Sequence, residues 1–291
     1  VASYTFSNVT ANHTIVASFN STNSPPGQPT LVSPANLATG VPLSPTLDVI
    51  PSDPDSPQLT VNFYGRSTSG PPGPDFTIIP IPDTQYYTGQ LNGGSNAILK
   101  SQLDWIVANR VSRNIVYAVQ LGDCVEHGND GDLVVNKPIE WMRADTAFKQ
   151  LENPLATGLT QGIPYGICAG NHDQTPIGDA DGSTAFYNQY FGMGRFSGRS
   201  YYGGPHRGSN DNWFDLFSAS GMDFINIGLE YDTTPDAAVL NWADSLLTAY
   251  ANRRAIVASH WICNTGNSAT FSTQGQAIYN ALRGHSNLFL T

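Results

Sequence analysis

Four times in this chain an acidic, amide or imidazole side chain follows directly on an apolar stretch of β character. FTIIPI (76–81) runs into Asp83 and Gln85, and IVYAVQL (115–121) into Asp123 and Glu126. YGICA (165–169) runs into Asn171, His172 and Asp173, and AIVAS (255–259) into His260. Oxygen donors mixed with imidazole suit divalent cations such as Mn, Fe, Zn or Mg. A carboxylate such as Asp123 is able to bridge two such ions about 3.5–4 Å apart. The absence of any CxxC pair argues against a zinc finger. Taken alone, Asp83 or Asp123 reads as a turn residue or a helix cap. The ordered recurrence at strand ends is what argues for a site.

Such side chains converge only if the strands that carry them end along one edge, where open α/β sheets gather their ligands. From Phe76 onward the sequence supplies the parts. DFINIGL (223–229) and NLFL (287–290) add apolar runs, and helical patterns lie between the strands. Ser95 is placed to cap a helix with Leu99, Leu103, Ile106 and Val107 on one face. Thr234, Pro235 and Asp236 read as cap, first-turn proline and first-turn acid. Behind them lie Val239, Ala243, Leu246, Leu247 and Tyr250. Buried strands alternating with amphipathic helices predict an α/β domain with a largely internal sheet. Residues 187–215, rich in Gly and aromatics, read as a long loop of functional character.

Composition narrows the partners. The 291 residues hold 13 Lys+Arg against 23 Asp+Glu, a net charge of -10. That balance, without a basic run, argues against duplex nucleic acid and anionic membrane as main partners. No apolar run approaches the roughly 18 residues of a bilayer span. Charged residues are only 12%, about half the usual share, and Ser, Thr, Asn, Gly and Tyr take their place. An extracellular or cell-surface setting is the expectation. Three cysteines, Cys124, Cys168 and Cys263, do not make a disulfide framework. Buried free thiols are expected, with a Cys124–Cys168 bridge as the other possibility, and no activating pattern marks a cysteine nucleophile. The chain opens at Val1 without an initiator Met or leader, which reads as a processed form or a fragment.

The stretch before Phe76 differs in kind. Residues 1–20, VASYTFSNVTANHTIVASFN, alternate apolar and polar around a TANH turn, a β-hairpin pattern too small to bury a core alone. It resembles the closing strands of internalin-type B repeats, bacterial surface modules. Residues 21–29 are a Pro/Ser linker. Residues 30–66 resemble part of an immunoglobulin-like or fibronectin-like sandwich, with too few strands for a whole one. The acids Asp48, Asp53 and Asp55 read as turn residues rather than a calcium site. Residues 67–75 form a second linker, leaving 76–291 as the main domain.

Asp83-Thr84-Gln85, the GDCVEHG run at 122–128, GNHD at 170–173 and a late strand ending in His260 resemble the ordered motifs of calcineurin-like metallophosphoesterases. DTQYY, GRSYYGG and NRRAIVASH are similar to the secreted bacterial branch. The resemblance implies a layered α/β sandwich, two divalent metal ions and hydrolysis of phosphate mono- or diesters. It implies that Asp83 holds the first metal, Asp123 bridges both, and Asn171 and His260 hold the second. His172 would protonate the leaving oxygen as general acid, Glu126 would orient that histidine, and Asp173 would support the motif. Two departures stand out. Gln85 occupies a position where the family usually has His, so the first site is expected to be weaker, to prefer a harder ion, or to hold Gln85 behind the ligands. The family's GHxH motif is absent after the last strand, so the domain reads as C-terminally incomplete and the truncated chain as one that binds metal poorly. A second reading follows, a degenerate phosphoesterase scaffold in a surface adhesion or structural protein. In either case the N-terminal β modules are read as spacers or attachment units.

Overall fold

The computed structural model describes residues 26–35, 38, 41, 45–56, 58–61, 73–130, 138–266 and 268–290. The chain divides into two compact units, Val1–Ser67 and Thr68–Thr291. In the first, β1 (Thr30–Ser33) pairs antiparallel with β2 (Asp48–Ile50). Asp53 Oδ1 accepts the backbone N–H groups of Asp55 and Ser56 at 2.9 and 2.8 Å, a turn built by a short acidic side chain. The hairpin expected over 1–20, most of both linkers and the strand residues after Val61 lie outside the described residues.

The second unit runs β3 (Thr77–Ile81), α1 (Gln85–Gly89), α2 (Asn96–Asn109), β4 (Ile115–Gln120), α3 (Ile139–Glu152), α4 (Pro154–Thr157) and β5 (Tyr165–Ile167). It continues with α5 (Ala185–Phe191), α6 (Met193–Phe196), β6 (Tyr202–His206), β7 (Ser209–Ala219) and β8 (Met222–Leu229). The last elements are α7 (Ala237–Ala249), β9 (Arg254–Ser259), α8 (Thr273–Leu282) and β10 (Leu288–Leu290). Strands β3, β4 and β5 form a parallel sheet. A second, mixed sheet has the order β10-β9-β8-β7-β6, with β7 antiparallel to both its neighbours.

The period of two along the strands assigns the layers. Ala118 of β4 faces a core shared with Leu99, Leu103, Trp141 and Phe148 of α2 and α3. Its neighbours Tyr117 and Val119 face the other way, against Phe217, Phe224 and Ile256 of the mixed sheet. On that sheet's outer face Ile225, Ile227 and Val257 pack under Leu246, Leu247 and Ile278 of α7 and α8. Helices, sheet, sheet and helices therefore stack as a layered α/β sandwich with apolar cores between successive layers. Trp213 fills the space between the sheets, its Nε1 donating to Ile167 O at 2.7 Å. A methyl group at Gly166 or Gly228 would fall 1.9 or 2.3 Å from its ring, which explains those two glycines.

Two sequence expectations change. Residues 187–215 are not a bare loop. They hold most of α5, all of α6 and the β6–β7 hairpin, whose turn residues Arg207 and Gly208 both have left-handed φ, 51° and 81°, as a tight hairpin turn requires. The α7 cap is also displaced. Asp236, not Thr234, stands at the N-cap position, because the Asp232 carboxylate accepts the N–H groups of Thr234 and Asp236 at 2.7 and 3.2 Å and keeps that stretch in a turn.

Candidate metal centre

The strand ends are fastened to one another by backbone and side-chain hydrogen bonds of the residues that follow them. Leu121 N–H donates to Ile81 O at 2.9 Å and Thr84 N–H to Asp123 O at 3.0 Å. Thr88 Oγ1 donates to Cys124 O at 2.8 Å. The buried Gln120 amide closes the next turn, bonding Gly122 O at 2.7 Å and Gly122 N–H at 2.8 Å. Gly122 has φ 100° and Asp123 has φ 56°, so the GD turn lies in the left-handed region, where Gly is free and Asp is tolerated. The close approach of the loops also demands glycine. A Cβ on Gly122 would lie 2.6 to 2.7 Å from His260, and one on Gly170 would lie 2.1 Å from Asp123 Oδ1.

Asp123 is the hub. The residue is 2% exposed, and its carboxylate accepts the His172 N–H at 2.8 Å on Oδ1 and faces His260 Nε2 at 3.2 Å on Oδ2. His260 Nδ1 bonds Leu121 O at 2.9 Å, which fixes the tautomer and aims Nε2 at the centre. Burial pulls the His260 pKa down, but the hydrogen bond and charge of Asp123 outweigh it and raise it to about 9. Asp83 is raised to about 6, first by burial and further by the Asp123 charge, against the Gln85 N–H that it accepts at 2.8 Å. His260 and His172 also act on Asp83, so all four groups share one electrostatic neighbourhood.

Asn171, His172 and Asp173 form a single 3-10 turn after β5. His172 Nδ1 bonds Glu126 O at 2.8 Å and lies 3.7 Å from Glu126 Oε2. The Asp173 carboxylate is turned away from this ring of donors. It accepts the N–H groups of Gly170, Cys124 and Val125 at 2.8, 3.1 and 3.2 Å and clamps the GNHD and GDC turns together. Burial and the Asp123 charge raise its pKa. Gln85 is 8% exposed and its Oε1 has no hydrogen-bond partner, an amide oxygen left available in a buried place.

By donor type the set fits hard or borderline divalent cations: two carboxylates, an imidazole with a fixed tautomer and two amides. Among the described residues, however, no three His, Cys, Asp or Glu side chains form a group that holds a metal ion unaided.

Sequence reasoning missed Glu140. Buried at the start of α3, it accepts Glu126 N–H, His127 N–H and His127 Nδ1 at 2.9, 3.1 and 2.8 Å, and neighbouring Trp141 donates to Gly128 O at 2.7 Å. It holds the loop that carries Glu126, and the only signal was an acid in the first turn of a helix. Also missed were Tyr231 and Trp261, stacked with centroids 5.6 Å apart beside His260. All three cysteines are free, so the Cys124–Cys168 bridge is not formed. Burial pushes the thiols of Cys124 and Cys168 up, away from nucleophilic chemistry.

No family model matches the chain. Over 191 residues it is 32% identical to the uncharacterized protein YvnB of Bacillus subtilis (strain 168), covering 65% of this chain. The chain spans 13% of that relative's length. Among solved structures, a dimetal phosphatase from Danio rerio superposes with a TM-score of 0.45 at 16% identity, over 75% of this chain and 80% of that one. GAP50, the anchor in the inner membrane complex of Plasmodium, gives 0.40 at 14% identity, over 72% and 62%.

Proposed function

We propose that this chain hydrolyses phosphate mono- or diesters with the help of two divalent cations, as part of a secreted or surface-attached bacterial protein. The observation that carries this reading is the meeting of Asp83, Asp123, His172 and His260 at the carboxyl ends of β3, β4, β5 and β9. Asp83, Asp123, Asn171, His260 and, through its unpartnered oxygen, Gln85 would hold the ions. Mn, Fe, Zn or Mg, when bound, supplies positive charge for the phosphoryl oxygens and lowers the pKa of the attacking water.

The chain's own residues do the rest. With Nδ1 engaged by Glu126 O, His172 keeps Nε2 for the proton that the leaving oxygen must receive. Glu126 Oε2, buried and without a hydrogen-bond partner, lies 3.7 Å from Nδ1 of that ring and helps to orient it. Asp173 holds both motif turns in register and takes no part in proton transfer. The N-terminal β segments serve as spacers or attachment units.

A second reading, a degenerate scaffold in an adhesion or structural protein, is favoured by the lack of a three-member carboxylate and imidazole group among the described residues. Hydrolysis of p-nitrophenyl phosphate and bis-p-nitrophenyl phosphate, with Mn and with chelator, separates the two. The enzyme reading expects turnover that chelation removes and that Asp123→Asn abolishes. Metal-independent inertness toward both esters, with no Mn bound at equilibrium dialysis, would sink it in favour of the scaffold.

A further inference from the structure

Beside the candidate centre lies a cavity of about 200 Å³. Its wall carries five carboxylic acids, Asp179, Asp181, Glu230, Asp232 and Asp236. Lysine and arginine are absent from that lining, and Leu229, Val239, Leu240 and Ile278 supply apolar surface. For scale, a cavity of about 150 Å³ admits a benzene-sized group.

The cavity lies beside the turn that carries Asn171. Gly178 lines it, and a Cβ there would lie 3.9 Å from Asn171 Cβ and 3.7 Å from Tyr231 Cε1. Gly178 N–H also donates to Asn171 O at 2.9 Å. Independently of the acids, Gln274 lines the same space, is 2% exposed, and donates from Nε2 to Glu230 O at 2.6 Å. Its Oε1 has no partner, an acceptor that calls for a positively polarised group.

The acids do not suit a bare metal ion. Asp232 spends both oxygens on the N–H groups of Thr234 and Asp236, and Asp179 spends one on Asp181 N–H. No three described acids form a metal-holding group. Burial pushes the Glu230 carboxyl up to about 8, so the negative field comes from the four aspartates; spread over apolar walls, with an aromatic ring at its border, it suits a large and weakly hydrated organic cation.

We infer that the cavity receives the cationic end of the substrate, a phosphoester whose alcohol carries an ammonium or quaternary ammonium group. This rests on the hydrolase reading above. The bond broken is the one between phosphorus and that alcohol's oxygen, water's oxygen replaces it, and the alcohol departs with the proton given by His172. Multiply anionic esters such as nucleoside polyphosphates are disfavoured by the same field.

The test uses the full chain and two measurements. Choline binding is followed by calorimetry without metal. Turnover, read as release of choline or of 3,3-dimethylbutanol, is compared between p-nitrophenyl phosphorylcholine and its uncharged isostere, p-nitrophenyl 3,3-dimethylbutyl phosphate. The expected result is saturable choline binding and at least a tenfold higher kcat/KM for the cationic ester. Both fall about tenfold in Asp181→Asn/Asp236→Asn, two exposed positions whose change leaves the fold intact. Equal turnover of the two esters with no choline binding would overturn the inference and leave the hydrolase reading standing. Choline binding with neither ester hydrolysed would support the cation pocket and remove the hydrolase reading. Stoichiometric calcium uptake that expels choline would overturn the inference in favour of a metal site.

Discussion

His260 Nε2 stands 3.2 Å from Asp123 Oδ2, and it does so because Leu121 O holds Nδ1 at 2.9 Å. The strand end of one sheet thus meets the strand end of the other through a single imidazole. Without metal this is an ion pair. For a metal to bind, Nε2 must give up its proton, so cation and proton compete for one atom.

The pair makes stability depend on pH. The folded-state pKa of His260 is about 9, above its ordinary 6.5. Its stabilising contribution is therefore complete below about 6.5 and is lost as pH rises through 9. The unfolding free energy of the metal-free protein from urea titrations should fall between pH 6 and 10, by at most on the order of 3 kcal/mol. His260→Gln should be flatter over that window, and equal slopes for the two proteins would contradict the assignment.

Metal uptake should weaken in acid. Asp83 titrates at about 6 and must be ionised to act as a ligand, so Mn affinity at pH 5 should lie below that at pH 7. Asp83→Asn removes that carboxylate and should bind Mn weakly at both pH values. Equilibrium dialysis at the two pH values checks this.

Gly122→Ala and Gly170→Ala place a methyl group against His260 and Asp123 at distances no real Cβ keeps. Each should cost about 3 kcal/mol and disorder the centre together with the fold. Gly198→Ala, with nothing within 4 Å of its Cβ but φ 85°, should show only the smaller backbone cost of about 1 kcal/mol. Thermal melts of the three variants give the comparison.

Between the sheets, Tyr117 Oη donates to Asp215 Oδ2 at 2.5 Å and accepts Asn226 Nδ2 at 3.1 Å. Burial drives the Asp215 pKa up, against the Tyr117 bond, which lowers it. A carboxyl with a raised folded-state pKa binds more protons folded than unfolded, so stability falls as pH climbs above about 4. Asp215→Asn should be more stable than wild type by an amount that grows between pH 4 and 9. Tyr117→Phe should lose about 1–3 kcal/mol through the unpaired partner. Urea titrations across that range decide both.

His172→Ala should lower kcat by about 100-fold or more. Glu140→Gln should lower it about tenfold with the melting temperature nearly kept, because that carboxylate only positions the Glu126 loop. Loss of fold in Glu140→Gln would make its role structural alone.

The strand bearing each motif was legible in the sequence because parallel strands buried on both faces leave uninterrupted apolar runs, as IVYAVQL does. Helix α2 was legible from Leu99, Leu103 and Ile106, all buried as their spacing implies. The β6–β7 hairpin was not, because its Gly and aromatic residues lack simple alternation and its identity depends on Trp213 and Phe214 finding glycines on neighbouring strands and on the facing sheet. Glu140 was invisible for a related reason, since an acid opening a helix looks the same whether it faces solvent or three donors of another loop.

Which side chains are offered for chemistry, and that each follows the end of an apolar strand, can be read from the residues in order, because local pattern dictates strands and turns. Which of them meet was set by packing. The stacking of two sheets brought His260 to Asp123, turned Asp173 inward to clamp two loops, and set five acids around a cavity beside Asn171. Those relations depend on packing between segments far apart in the chain, which no local periodicity encodes.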